Sequence, residues 1–281
     1  MKELESQYRI GDLCAAFAVS RSAYHRWRTA TPSRRACEDA RLKEQLVELH
    51  AQSQGTYGRP RLSAALRQRG QRVAQKRVAR LMRALGLRGV QRGRFRPQTT
   101  QSANRRAASP YLLRRTQTPT HPGRVWVADL TFIPTKEGWL YTAGVMDQAS
   151  RRILGLAFDS RMDSSLCEAA LRQALSTGAP SAGLIHHSDQ GYQYASTRYR
   201  ALLRQKRITQ SMSRKANCYD NAHIESFWAT LKSECLRDRS FATRAQARLA
   251  IFTYVHTFYN RRRVHSALGD QSPLDFEQSN P

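Results

Sequence analysis

W-V-A-D-L-T-F-I, Trp126 to Ile133, reads as a β-strand with an acid set into its middle. Valine, threonine and aromatic residues suit a pleated, half-buried backbone, whereas Asp is depleted there. Asp129 has the parity of Val125 and Val127 and so shares their face of the strand. A metal or a buried hydrogen bond would each make an acid acceptable on that face. Two more acids stand in comparable settings. Asp189 follows the short apolar run 183–187 in H-H-S-D-Q-G, His186 to Gly191, at the carboxyl end of a predicted strand, where α/β sheets commonly hold ligands. Asp-x-Gly is also ordinary turn chemistry. Glu225 lies in D-N-A-H-I-E-S-F-W, Asp220 to Trp228, on a predicted helix with Trp228 at i+3 and Lys232 at i+7 on the same face. Alone, it would pass for a surface Glu. The three acids are separated by 59 and then 35 residues. Their joint spacing is that of a metal site. Carboxylates with open coordination positions suit Mg²⁺ or Mn²⁺, and two such ions about 3.5–4 Å apart clamp the attacking and leaving oxygens of a phosphoryl transfer. The implied substrate is a phosphodiester.

Working outward, alternation predicts strands over 124–133, 138–147 and 152–158, an antiparallel meander. A helix over 164–176, a strand over 183–187, a helix over 196–206, a strand over 208–212, a helix opening at Asp220 and another over 243–260 follow. Meander followed by alternating helix and strand implies a mixed α/β sheet.

Before this region the pattern is helical. Residues 10–28 resemble a helix-turn-helix whose second, basic helix offers Arg21 and Arg26 to DNA, although a plain helical hairpin has the same pattern. A second helical unit runs over 39–87, with G-T-Y-G-R-P-R-L, Gly55 to Leu62, carrying Arg59 and Arg61 through a turn. In its last helix Val78, Leu81, Met82 and Leu85 form an inward stripe, leaving Lys76, Arg77, Arg80 and Arg83 as an outward cationic surface. Residues 91–123, poor in apolar side chains and punctuated by Pro97, Pro110, Pro119 and Pro122, read as a basic linker. The expected division is therefore a helix-turn-helix-like segment over 1–38, a helical DNA-binding domain over 39–90, the linker, and an α/β unit over 124–281.

The charge balance agrees with a phosphodiester. Forty-seven basic against 21 acidic side chains leave +26 on 281 residues, and a polyanionic partner is the simplest reason. Residues 1–123 carry +19 of that excess, and 124–281, which hold the three acids, carry +7. Five widely spaced cysteines with no C-x-x-C exclude a disulfide framework or zinc module. No run reaches the roughly 18 apolar residues of a membrane span, so a cytoplasmic, nucleoid-associated location without membrane contact is expected.

With these residues in view, the chain resembles the B-frame transposases (OrfB) of the insertion-sequence three family, which bear the DDE integrase core. G-T-Y-G-R-P-R-L with R-V-A-R-L-M-R-A-L-G-L resembles the family's helical domain. W-V-A-D-L-T-F-I, E-G-W-L-Y, H-S-D-Q-G-Y-Q-Y and S-R-K-A-N-C-Y-D-N-A-H-I-E-S-F-W resemble its catalytic blocks, and Tyr259 to Phe276 its C-terminal block. Ala216, where Gly is usual, and Gln148-Ala149, replacing a more apolar pair, are the departures. The resemblance implies a ribonuclease H-like fold, a mixed five-stranded sheet with flanking helices behind a small all-α region. It implies Asp129, Asp189 and Glu225 as catalytic ligands of two Mg²⁺ or Mn²⁺, with Lys232 contacting DNA near the scissile phosphate. Arg214 and Lys215, in S-R-K-A-N, are further candidate contacts. The implied activity is strand cleavage and strand transfer on double-stranded DNA by a homo-oligomer, with an upstream-frame partner or fusion supplying a leucine zipper. A DNA-binding regulator without activity, or a nuclease that cuts but never joins, are the alternatives.

Overall fold

The computed structural model describes residues 2–91, 108–113, 119–214 and 221–280. Most of the linker, the cation expected at Lys215, and Ala216 and Asp220 therefore lie outside the described residues. The helical part comprises α1 (Ile10–Ala16), α2 (Arg21–Thr29), α3 (Arg34–Gln52), α4 (Arg59–Gln68) and α5 (Gln75–Ala84). The α/β part comprises β1 (Val125–Thr135), β2 (Gly138–Asp147), β3 (Ile153–Asp159), α6 (Ser164–Thr177), β4 (Ile185–Ser188), α7 (Thr197–Gln205), β5 (Thr209–Met212), α8 (Ala222–Glu234), α9 (Arg244–Thr253) and α10 (Pro273–Ser279). No helix among the described residues is long and apolar enough to cross a membrane.

The five strands form one sheet in the order β3-β2-β1-β4-β5. β1, β2 and β3 pair antiparallel as the meander requires, while β4 lies parallel to both β1 and β5. This mixed arrangement with helices on both faces is the ribonuclease H-like fold. Strand parity divides the core. Trp126 and Ala128 of β1 pack with Leu166, Leu171 and Tyr199 of α6 and α7. Val125 and Val127 face the other way, onto Ile224, Phe227, Trp228 and Leu231 of α8 and Ile251 of α9. Asp129 has this second parity.

Two boundaries differ from the sequence expectation. α3 starts at Arg34, five residues early, because Ser33 caps it by accepting a hydrogen bond from the Ala36 amide at 3.2 Å. It consequently runs through the expected boundary at 38–39, in a stretch whose exposed, polar first turns carry no apolar periodicity. The helix expected over 243–260 changes at Tyr254 to a π-helical turn, Tyr254–Tyr259, which places Tyr254, Val255, Phe258 and Tyr259 in the core together.

The helical part joins the α/β part through named polar contacts. The Tyr57 hydroxyl donates to the carbonyl of Arg262 at 3.1 Å and accepts from the Val264 amide at 2.8 Å. Its ring also meets Phe258 at 6.1 Å between centroids.

Candidate active site

Strand register brings the first two acids together. Val127 of β1 is opposite His187 of β4 in the parallel pairing, so two residues further along each chain stand Asp129 and Asp189. β4 ends at Ser188, and the chain turns there. Asp189 Oδ1 accepts the Gly191 amide at 2.9 Å, which fixes the carboxylate at the strand's end. Both histidines before it are structural. His187 is buried between the hydroxyls of Ser211 and Ser213, at 2.9 and 3.1 Å. His186 shares a 2.9 Å hydrogen bond with Tyr199, and burial first and His187 second push its pKa down to about 3, so it stays neutral.

Glu225 arrives from α8. Gly144 is opposite Asp129 in the β1–β2 register, and a Cβ built on it would lie 2.8 Å from Cζ2 of Trp228. The missing side chain is therefore what lets the helix sit close to the sheet at the level of Asp129. Asn221, just before the helix, donates from its amide to the carbonyl of Ala128 at 3.1 Å and ties the helix start to the residue preceding Asp129. An isolated Gly within a strand pattern is a sequence signal for such a close approach; nothing in the sequence singles out Asn221.

Electrostatics tie the acids to one another. Burial, then the charge of Asp189, then that of Glu225 hold the Asp129 carboxyl well above its ordinary range. The indole N–H of Trp228 pulls the other way without closing a hydrogen bond. Burial raises Asp189 against the Gly191 amide, and burial followed by Asp189 raises Glu225. Lys232 is lowered by burial and pulled back up by Asp129, so its ammonium belongs to the same cluster. Asp147 offers a contrast within the same sheet. It too is raised by burial, but its oxygens accept the amides of Gly123, Ala149 and Ser150 at 2.7–2.9 Å and it anchors the turn after β2. Asp129 has in its favour the Leu130 amide and, more weakly, the Trp228 indole, and these do not offset its burial. An acid buried with so little compensation, beside two others, has the pattern expected of a functional site.

The donors are hard oxygens with raised proton affinity, a chemistry that a divalent cation relieves. Among the described residues no three His, Cys, Asp or Glu side chains already converge on one ion position. The charges of Asp189 and Glu225 act against ionisation of Asp129, and a divalent cation would offset that repulsion.

The expected DNA-facing cations are dispersed. Arg21, Arg26, Arg59, Lys76, Arg83 and Arg214 are exposed. The outward cationic surface on α5 is smaller than the sequence implied. Arg77 turns back onto Asp39 at 2.7 Å and Glu38 at 3.2 Å, and Arg80 reaches Asp39 at 2.5 Å, because α3 presents both acids to α5. Arg61 is drawn inward as well, to Glu234 of α8 at 3.0 Å. Arg214 lies over the Tyr111 ring at 5.0 Å.

Integrase core domain models match residues 119–218 and 206–273, and an HTH-like domain model matches residues 37–95. The 31 kDa protein of insertion element IS600 from Shigella sonnei is 46% identical over 266 residues, 95% of this chain and 97% of that protein. The transposase for insertion sequence element IS904 of Lactococcus lactis is 42% identical, with 89% and 98% covered. The InsF transposase of insertion sequence IS3A in Escherichia coli is 35% identical, with 98% and 96% covered. Similarity of this degree over almost the whole of each relative means that the chain belongs to the IS3 family of insertion-sequence transposases.

Proposed function

We propose that the chain cuts and rejoins DNA strands at the ends of an insertion sequence by direct in-line displacement at phosphorus. One observation supports this reading: Asp129, Asp189 and Glu225 come from three separate elements, and the charges of Asp189 and Glu225 raise the proton affinity of Asp129 while that of Asp189 raises Glu225. Their oxygens would hold two Mg²⁺ or Mn²⁺ ions, which when bound polarise the phosphate and favour the deprotonated form of an attacking water or 3′-hydroxyl. In either case a new O–P bond forms as the bond to the leaving 3′-oxygen breaks, and that oxygen takes up a proton. Water gives a nick; a 3′-hydroxyl gives strand transfer. No protein side chain becomes bonded to phosphorus.

The protein's own task is position. The Gly191 amide orients Asp189, the Gly144–Trp228 contact seats α8, and Lys232 binds a DNA phosphate next to the carboxylates. Arg21, Arg26, Arg59, Lys76, Arg83, Arg214 and Lys215 would track the backbone of double-stranded DNA, while Arg61, Arg77 and Arg80 serve the protein's internal ion pairs. The working form is an oligomer on bacterial nucleoid DNA, with an upstream-frame partner or fusion adding a leucine zipper. The domain division is a helical segment ending at Ser33, a second helical unit over 34–90 that keeps α3 whole, a basic linker over 91–123 and the catalytic unit over 124–281.

The test is incubation of purified chain with Mg²⁺ or Mn²⁺, labelled pre-cleaved ends and a supercoiled plasmid, beside an Asp189→Asn control. Joined product that vanishes in the control supports transposition. Nicks without joined product support a nuclease, and binding without either supports a regulator.

A further inference from the structure

The β1–β2 hairpin extends beyond the other strands of the sheet, past the level of the acids. β4 pairs with β1 only over Val125–Val127, whereas β2 accompanies β1 as far as Thr135 opposite Gly138. β3 follows β2 as far as Tyr141 opposite Asp159, and β4 leaves the β1 edge after Val127, so beyond Phe132 the two strands run on as a short projecting arm. Phe132 is opposite Tyr141, and Trp139 is two residues from Tyr141 on the same strand, so Phe132 and Trp139 are diagonal neighbours on one face of the arm. Their rings meet edge to face at 4.9 Å between centroids, yet Phe132 remains 49% and Trp139 47% exposed. Arg244 braces the tip, its Nε donating to the Trp139 carbonyl at 3.0 Å.

Two large rings in contact on a projecting arm, in a chain of net charge +26, call for a partner that is both planar and anionic. Lys232 supplies the link to the acids: its ammonium lies 5.5 Å from the Phe132 ring centroid and also feels Asp129. A phosphate held by Lys232 beside the carboxylates would carry its base within reach of the aromatic pair. In intact duplex that base is stacked and paired, so the platform fits a base that has left its partner.

We propose that Phe132 and Trp139 form a stacking platform for an unpaired nucleobase next to the phosphodiester under attack. The proposal rests on the assignment of Asp129, Asp189 and Glu225 as the reacting centre. Stacking on exposed rings tolerates any base, so the platform recognises opened DNA rather than a sequence.

The experiment compares binding of the Asp189→Asn chain to a blunt duplex and to the same duplex with a short unpaired 3′ extension, by fluorescence anisotropy. A preference for the opened duplex on the order of tenfold is expected. It should disappear in Phe132→Ala and Trp139→Ala, persist in Trp139→Phe, and leave blunt-duplex affinity unchanged in all three. A 2-aminopurine in the extension should lose fluorescence on binding through stacking. Equal affinity for both duplexes, a preference that survives both alanine substitutions, or a 2-aminopurine signal that does not move would overturn the platform. A variant that fails to fold loses blunt-duplex binding too, and the 2-aminopurine signal of the parent chain then decides. Absence of joined product from the unsubstituted chain, with preference and quenching intact, would instead sink the strand-transfer reading and leave the platform standing.

Discussion

Glu234 closes α8 in a double grip by Arg263, whose Nη2 reaches Oε1 at 2.7 Å and whose Nε reaches Oε2 at 2.8 Å. Both side chains are about 95% shielded from solvent. Arg61 of α4 adds a third contact at 3.0 Å and the Tyr254 hydroxyl a fourth at 2.8 Å. The helix that presents Glu225 at one end is thereby tied at the other to the HTH-like domain and to the C-terminal block at once.

Removing Glu234 should consequently cost more than a surface ion pair. Glu234→Gln leaves Arg263 buried without its counter-charge, and a loss of about 3–5 kcal/mol is expected in urea unfolding at neutral pH. Burial would raise the Glu234 carboxyl, but the hydrogen bond and charge of Arg263, followed by Arg61, outweigh it and hold the pKa below 4.5. A depressed folded pKa contributes stability above the unfolded value and loses it as pH falls through the folded one. The difference between the two proteins should therefore be full above about pH 4.5 and shrink below it. A difference independent of pH would refute the assignment.

Asp129 has the opposite sign. Its folded pKa is raised above 3.8, so without a cation its contribution is most favourable at low pH and is lost as pH rises through the folded value. Asp129→Asn should accordingly raise the melting temperature of the metal-free chain at neutral pH. Millimolar Mg²⁺ should raise that of the unsubstituted chain, through ligand linkage, and leave the variant unmoved. Melting curves with and without Mg²⁺ test both halves.

Gly144→Ala should drive a methyl group into Trp228, 2.8 Å from Cζ2. Overpacking of this kind costs about 1–3 kcal/mol. Because the displaced helix carries Glu225, strand cleavage should fall further than the folded fraction does. Trp228→Leu makes room, so the double variant should be more stable than additivity allows; strictly additive losses would break the proposed link.

The exposed and the ion-paired arginines should separate by salt dependence. Arg59→Gln with Arg83→Gln removes two exposed cations, and the slope of log affinity against log salt should become shallower by about 2. Arg77→Gln should keep the slope and lower stability instead, since its guanidinium is occupied by Asp39 and Glu38. Anisotropy titrations at several salt concentrations with a fixed duplex distinguish them.

The strands of the meander, the parity of Asp129 and the helical face shared by Glu225, Trp228 and Lys232 were legible in the chain, because period-two and period-3.6 patterns are local and burial imprints them directly. The helix start at Arg34 was not, since a cap at Ser33 leaves no apolar period behind it. Nor was the fate of the basic residues: Arg61, Arg77 and Arg83 look alike in sequence, and only the docking of α4 on α8 and of α5 on α3 decides which of them meets an acid. The sequence by itself determined the fold class, the family and three acids on separate elements. The tertiary structure alone decided how those acids share one electrostatic environment, through the β1–β4 register and the space left at Gly144, because pairing and close approach depend on residues far apart in the chain that no local pattern records.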